Sequence, residues 1–172
     1  STASAVATLT VIQVLTLGEA VDAPQLAWSS GGSASWTAQT LVTFDGQDAA
    51  QSGSIAGSQE TWIETTVIGP GSLAFRWKVS SESCCDFLEF YITGVRQSAR
   101  IGGEVNWQLQ NYTLGPGSQR LRWRYSKDGS VSTGQDKGWL DQVAFAPSSG
   151  PPNIVTQPAS QTVTQGQAAT FS

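Results

Sequence analysis

The sequence predicts an all-β fold: a jelly-roll-type antiparallel β-sandwich with extra strand-forming tails at both ends. Three observations carry that expectation. Nearly every segment alternates apolar and polar residues with period two, and no segment sustains a helical period. The alternating segments are short and recur about every 8–12 residues. Turn-forming residues separate them, drawn from the 18 glycines and 7 prolines of this 172-residue chain.

"ATLTVIQVLTL" opens the chain with Val6, Thr8 and Thr10 against Leu9, Val11 and then Val14. "SWTAQTLVTF" and "ETWIETTVI" follow, each bounded by glycine, serine or aspartate. "GPGSLAFRWKVS" places Phe75, Trp77 and Val79 on one face and Arg76 and Lys78 on the other. "DFLEFYITG" sets Leu88, Phe90 and Ile92 against Phe87, Glu89 and Tyr91. "VNWQLQNYTL" and "SQRLRWRYSK" flank Gly-Pro-Gly, which reads as a hairpin turn. In the second of these, Leu121, Trp123 and Tyr125 oppose Arg120, Arg122 and Arg124. "GWLDQVAFAP" is the last strand before the linker, and the body totals about ten strands.

Composition narrows the function classes. Nine basic and 13 acidic residues give a net charge of −4, which argues against nucleic acid as the main partner. The chain has no histidine, which excludes histidine-based triads and imidazole metal sites within it. No apolar run is long enough to span a bilayer, so no membrane insertion is expected. Without a methionine, the chain reads as a mature product or an excerpt. Charged residues make up only 13%, and a surface of hydroxyls and amides suits a secreted or cell-surface β protein.

Three motifs, "DGQDAAQSGSI", "GPGSLAFRWKVSSE…DFLEFYITG" and "LRWRYSKDGSVSTGQDKGWLDQVAF", together resemble a jelly-roll module distantly like MAM domains. Such modules occur in tandem in large secreted bacterial proteins. The resemblance runs from about Leu17 to Pro147. It implies a module without catalytic activity, serving adhesion or carbohydrate binding. "STASAVATLTVI" looks like the last strand of a bacterial immunoglobulin-like repeat, and "IVTQPASQTVTQGQAATFS" like the first strands of another. The expected layout is an N-terminal strand over 1–16, the sandwich over 17–147, a linker over 148–153, and an immunoglobulin-like start or intersubunit strand over 154–172.

Among the seven tryptophans, Trp77 and Trp123 alternate with charged residues and read as core. Trp36 and Trp107 follow loop-like stretches and are the expected exposed rings for stacking on pyranose faces, with core or rim packing as the competing reading. Arg120, Arg122 and Arg124 share one strand face, and Arg76 and Lys78 another. If those strands lie in one sheet, they form a basic band with Glu89 as a partner, suited to an acidic polysaccharide. A solvated sheet face is the plainer reading.

Sugar-binding jelly rolls often hold a structural calcium ion near the first and last strands. Glu19 or Asp22 would then lie near Asp141, with loop carbonyls completing the shell. Asp128 and Asp136 are a second option. The thirteen acids offer many pairs but no glycosidase signature, so no enzyme is expected.

Cys84 and Cys85 are the only cysteines and are adjacent. C-x-x-C redox spacing and a full metal ligand set are both missing. Free thiols, a vicinal disulfide and a bond to another chain remain, and the vicinal disulfide is favoured in an oxidising compartment. Some modules of the resembled kind carry a third cysteine where this chain has Lys137.

The first functional expectation is therefore a non-catalytic module that binds a polysaccharide or cell-surface glycan. The alternative is an extracellular filament subunit, in which copies join head to tail by β-strand exchange through the apolar tails.

Overall fold

The computed structural model describes residues 14–148 together with 162, 164–166 and 168. Among the described residues, eight strands run in chain order: β1 (Trp28–Gly32), β2 (Thr37–Gln39), β3 (Ala49–Gln51), β4 (Glu60–Ser80), β5 (Phe87–Ile92), β6 (Val95–Ile101), β7 (Glu104–Ser126) and β8 (Lys137–Pro147). Every pairing is antiparallel. Ahead of β1, Glu19–Val21 makes a 3-10 turn that Asp22 ends at φ 60°.

Strands β4 and β7 span 21 and 23 residues and pair from Glu60↔Ser126 to Ser80↔Glu104. The register shifts midway, between Gly69 and Gly71 on β4, opposite Gly115-Pro116-Gly117 on β7. Before that corner on β4 the strand order is β1–β4–β7–β5–β6. Beyond it the order is β2–β3–β8–β4–β7. Eight strands thus supply ten segments in two five-stranded layers, a β-sandwich.

The corner corrects one expectation. Gly-Pro-Gly in β7 is not a hairpin turn, because residues on either side of it keep pairing with β4. β4 carries its own Gly69-Pro70-Gly71 at the matching place, so the two strands bend together as a ribbon. Glycine is needed there by close approach. A Cβ on Gly69 would collide with the Gly115 carbonyl, and one on Gly71 would lie 2.5 Å from the Phe145 ring.

The expected strand over 35–44 shrinks to Thr37–Gln39. The Gln39 Oε1 accepts the backbone N–H groups of Leu41 and Val42 at 2.7 and 2.9 Å. That local satisfaction replaces ladder bonds and turns the chain into a loop.

The inward faces build one core. Trp77 and Trp123 are fully buried, as their alternation implies. Phe75 from one layer meets Trp123 of the other edge-on at 5.1 Å and 89°, and Phe90 at 4.9 Å. Each such buried side chain stabilises the fold by about 1.5–3 kcal/mol through apolar burial. The expected strands over 1–12 and 154–172, on which the strand-exchange alternative rests, lie outside the described residues, save for Thr162, Thr164, Gln165, Gly166 and Ala168.

Candidate functional site

The outward face of the β1–β4–β7–β5–β6 layer collects most of the arginines. Period-two alternation sends Leu121, Trp123 and Tyr125 into the core, so Arg120, Arg122 and Arg124 project outward. Across the ladders, Arg122 stands between Glu64 and Tyr91, and Arg124 between Trp62 and Glu89. On β6, Arg96 and Arg100 are opposite Tyr91 and Glu89.

The side chains interlock. Arg122 donates from Nε to Glu64 Oε2 at 2.7 Å, and its Nη2 lies 2.7 Å from the same oxygen. The same guanidinium lies over the Trp62 ring, 4.2 Å from the centroid. Arg124 donates to Glu60 and to Glu89, both at 2.8 Å. Glu89 also accepts the Tyr91 hydroxyl at 2.8 Å and has Arg96 at 3.6 Å. Burial and then this hydrogen bond raise the Tyr91 pKa. Burial works to lower the Arg124 pKa, but the Glu89 hydrogen bond and neighbouring negative charge raise it on balance.

Arg120 is held more loosely. Its Nε is 4.0 Å from Glu64, and its side chain is 52% exposed. A groove runs past it, lined by Glu60, Tyr91, Gly94, Arg120, Arg122 and Arg124. Five arginines on this face (96, 100, 120, 122 and 124) meet three glutamates (60, 64 and 89). The surplus is two positive charges on a chain whose net charge is −4.

Arg76 and Lys78 do not extend this band. They sit on β4 beyond the glycine corner, in the other layer, because β4 changes layers between Glu64 and Arg76. There, Arg76 lies 3.7 Å over the Phe44 ring and donates from Nε to Gln142 at 3.2 Å. The outward neighbours of the arginines, Glu60, Trp62, Glu64 and Tyr91, were missed as site residues. The alternation in "ETWIE" puts the first three on one face, which was the available signal.

The two expected exposed rings fare differently. Trp36 is buried at 3% exposure and belongs to the core, contrary to its loop-like context. Its backbone N–H is tied to Ser30 Oγ at 2.6 Å, which holds the segment against β1 and turns the ring inward. Trp107 is half-buried on the other layer's outer face, where its ring meets Phe44 edge-on at 6.3 Å.

At the acidic end, one carboxylate oxygen from each of Asp22, Asp45 and Asp141 lies within 4.8 Å of the others. Asp141 is fully buried and accepts the backbone N–H groups of Phe44 and Gln142, each at 2.7 Å. Burial, then the charges of Asp45 and Asp22, push its pKa up to about 6 against those donors. Burial and Asp45 also raise Asp22. None of the three is in an ion pair among the described residues. Three converging carboxylates without a protein cation fit a hard divalent ion. Glu19 stands outside this trio. Its Oε2 accepts the Thr16 N–H and hydroxyl at 2.8 Å, and its charge helps raise Asp48.

Cys84 and Cys85 occupy the loop between β4 and β5, with their Sγ atoms 2.15 Å apart.

No family model matches the chain, and no curated protein matches it. Solved structures do resemble it. The secreted serine protease VesC from Vibrio cholerae superposes with a TM-score of 0.53 at 18% identity, over 66% of this chain and 24% of that one. The K2 cleaved adhesin domain of Lys-gingipain gives 0.51 at 14% identity, over 69% of this chain and 89% of that domain. A structure described as a carbohydrate-binding module of the β-sandwich superfamily gives 0.47 at 13%, over 70% and 56%. The chain therefore spans about a quarter of the protease chain it matches. At these identities the likeness is one of fold, the β-sandwich.

Proposed function

We propose that this sandwich is a non-catalytic carbohydrate-binding or adhesion module of a secreted or surface bacterial protein, and that it takes acidic saccharides on its arginine face. The single observation behind the ligand class is the groove beside Arg120, where guanidinium groups outnumber carboxylates. Guanidinium groups pair bidentately with carboxylate or sulfate, and the bound glutamates hold Arg122 and Arg124 in fixed orientations. The MAM-like resemblance of the sequence agrees with such a module. Calcium at Asp22, Asp45 and Asp141 belongs to the same reading, as an ion that fixes the loop carrying Phe44 to β8.

Affinity gel electrophoresis with uronate, sulfated and neutral polysaccharides tests it. Acidic polysaccharides should retard the protein, and rising salt should weaken the effect. Arg120→Gln should weaken binding about 10- to 100-fold, the worth of one charge-assisted hydrogen bond. Absence of retardation by every acidic polysaccharide sinks the ligand class.

A further inference from the structure

A second group of carboxylates surrounds the cysteine loop and shares no residue with the first. Glu82 and Asp86 flank Cys84 and Cys85, and Asp128 and Asp136 come from the loop between β7 and β8. One carboxylate oxygen from each of Glu82, Asp86 and Asp128 lies within 4.8 Å of the others. Two ligands of one calcium ion, each at 2.3–2.6 Å, stand up to about 5 Å apart.

Crowding alone is common, but here Glu82 and Asp86 each also carry a buried oxygen without a hydrogen-bond donor. Asp86 is fully buried. Its Oδ1 accepts the Asp128 N–H at 2.9 Å, while its Oδ2 is buried without a hydrogen-bond partner. The nearest protein cation, Lys127 Nζ, is 3.8 Å from that oxygen, beyond hydrogen-bond reach. Lys127 is instead engaged by Asp136 and by Ser132 Oγ. Glu82 Oε2 is likewise buried without a partner, and Asp136 has the buried Tyr125 hydroxyl beside it. Among the described residues, every buried carboxylate oxygen without a donor is in this group.

Four carboxylates thus share one ammonium. Asp86 is the buried member, and holding its charge there beside three partly exposed carboxylates is costly unless a further cation offsets it. Asp128 also accepts from the Ser130 N–H and hydroxyl at 2.9 Å, which orients it and leaves lone pairs for a metal.

We infer that Glu82, Asp86 and Asp128 form a calcium site that ties the cysteine loop to the loop after β7. The donors are hard oxygens, which suit calcium rather than a thiophilic metal. Lys127 keeps its place on the Asp136 side. The ion fastens two loops that otherwise meet through few backbone bonds.

Amide hydrogen exchange read by mass spectrometry on the full chain separates this site from the Asp141 site. Calcium chloride is added to chelator-treated protein at about ten times its dissociation constant. Exchange in peptides covering 81–86 and 127–130 should then slow about tenfold. The slowing should persist in Asp45→Asn and vanish in Glu82→Gln and in Asp128→Asn. Both side chains are partly exposed, and circular dichroism checks that each variant is folded. If Glu82→Gln does not fold, Asp128→Asn carries the comparison alone. The site is refuted if calcium leaves exchange in these peptides unchanged in the unsubstituted protein, or slows it equally in a folded variant.

Discussion

The Arg124 guanidinium donates to the Glu89 carboxylate at 2.8 Å across β7 and β5, and only 7% of the Glu89 side chain is exposed. Strands 35 residues apart in sequence place the pair. Removing Arg124 leaves Glu89 shielded from water, with the Tyr91 hydroxyl and the more distant Arg96 as its remaining partners. Arg124→Ala should therefore cost about 2–3 kcal/mol in urea unfolding, less than a fully buried pair because Arg124 is partly exposed. Glu89→Gln in that background should recover part of the loss. No recovery would show that the charge of Glu89 is not what the arginine offsets.

Gly31 bears on the same face from β1. A Cβ there would come within 2.5 Å of the Trp62 indole. Gly31→Ala should push the indole outward and lift Arg122 off its ring, shifting the tryptophan emission and weakening acidic-polysaccharide retardation. Unchanged emission would mean that the ring relaxes elsewhere.

Trp36 separates core from binding surface. Trp36→Ala should destabilise the fold by about 3–5 kcal/mol, as for other large buried aromatics. Glycan retardation by the folded fraction should stay unchanged. A loss of binding without a loss of stability would return Trp36 to the ligand surface.

Calcium at the acidic end should raise the melting temperature, because an ion that binds the folded state alone stabilises it by mass action. Asp45→Asn should reduce that rise and slightly stabilise the chelator-treated protein, since Asp45 raises the pKa of both Asp22 and Asp141. An undiminished calcium response would remove Asp45 from the ligand set.

The cysteine pair can be read by mass. An unreduced monomer two hydrogens lighter than the reduced chain is expected, because the chain's only two cysteines are adjacent and an oxidising compartment favours their pairing. A covalent dimer or two alkylatable thiols would be the contrary result.

The strand faces were legible in the sequence because a pleat alternates side chains whatever its neighbours are. That is why Trp77, Trp123 and the outward triplet of Arg120, Arg122 and Arg124 are where their spacing puts them. The pairing of Asp22 with Asp141 was half legible, since an early segment and the final strand were expected to meet, but Asp45 enters through a loop with no period to read.

By itself, then, the sequence determined the all-β class, the sidedness of the long strands β4, β5 and β7, and the absence of histidine. Only the tertiary structure decided which strands share a layer. Gly-Pro-Gly fits a hairpin or a corner equally well, and the partner strand's own Gly-Pro-Gly makes it a corner. That one choice separates Arg76 from Arg120, buries no arginine, and sets Glu60, Glu64 and Glu89 against the guanidinium groups. Non-local pairing carries this information, and a chain read in order does not contain it until the strands meet.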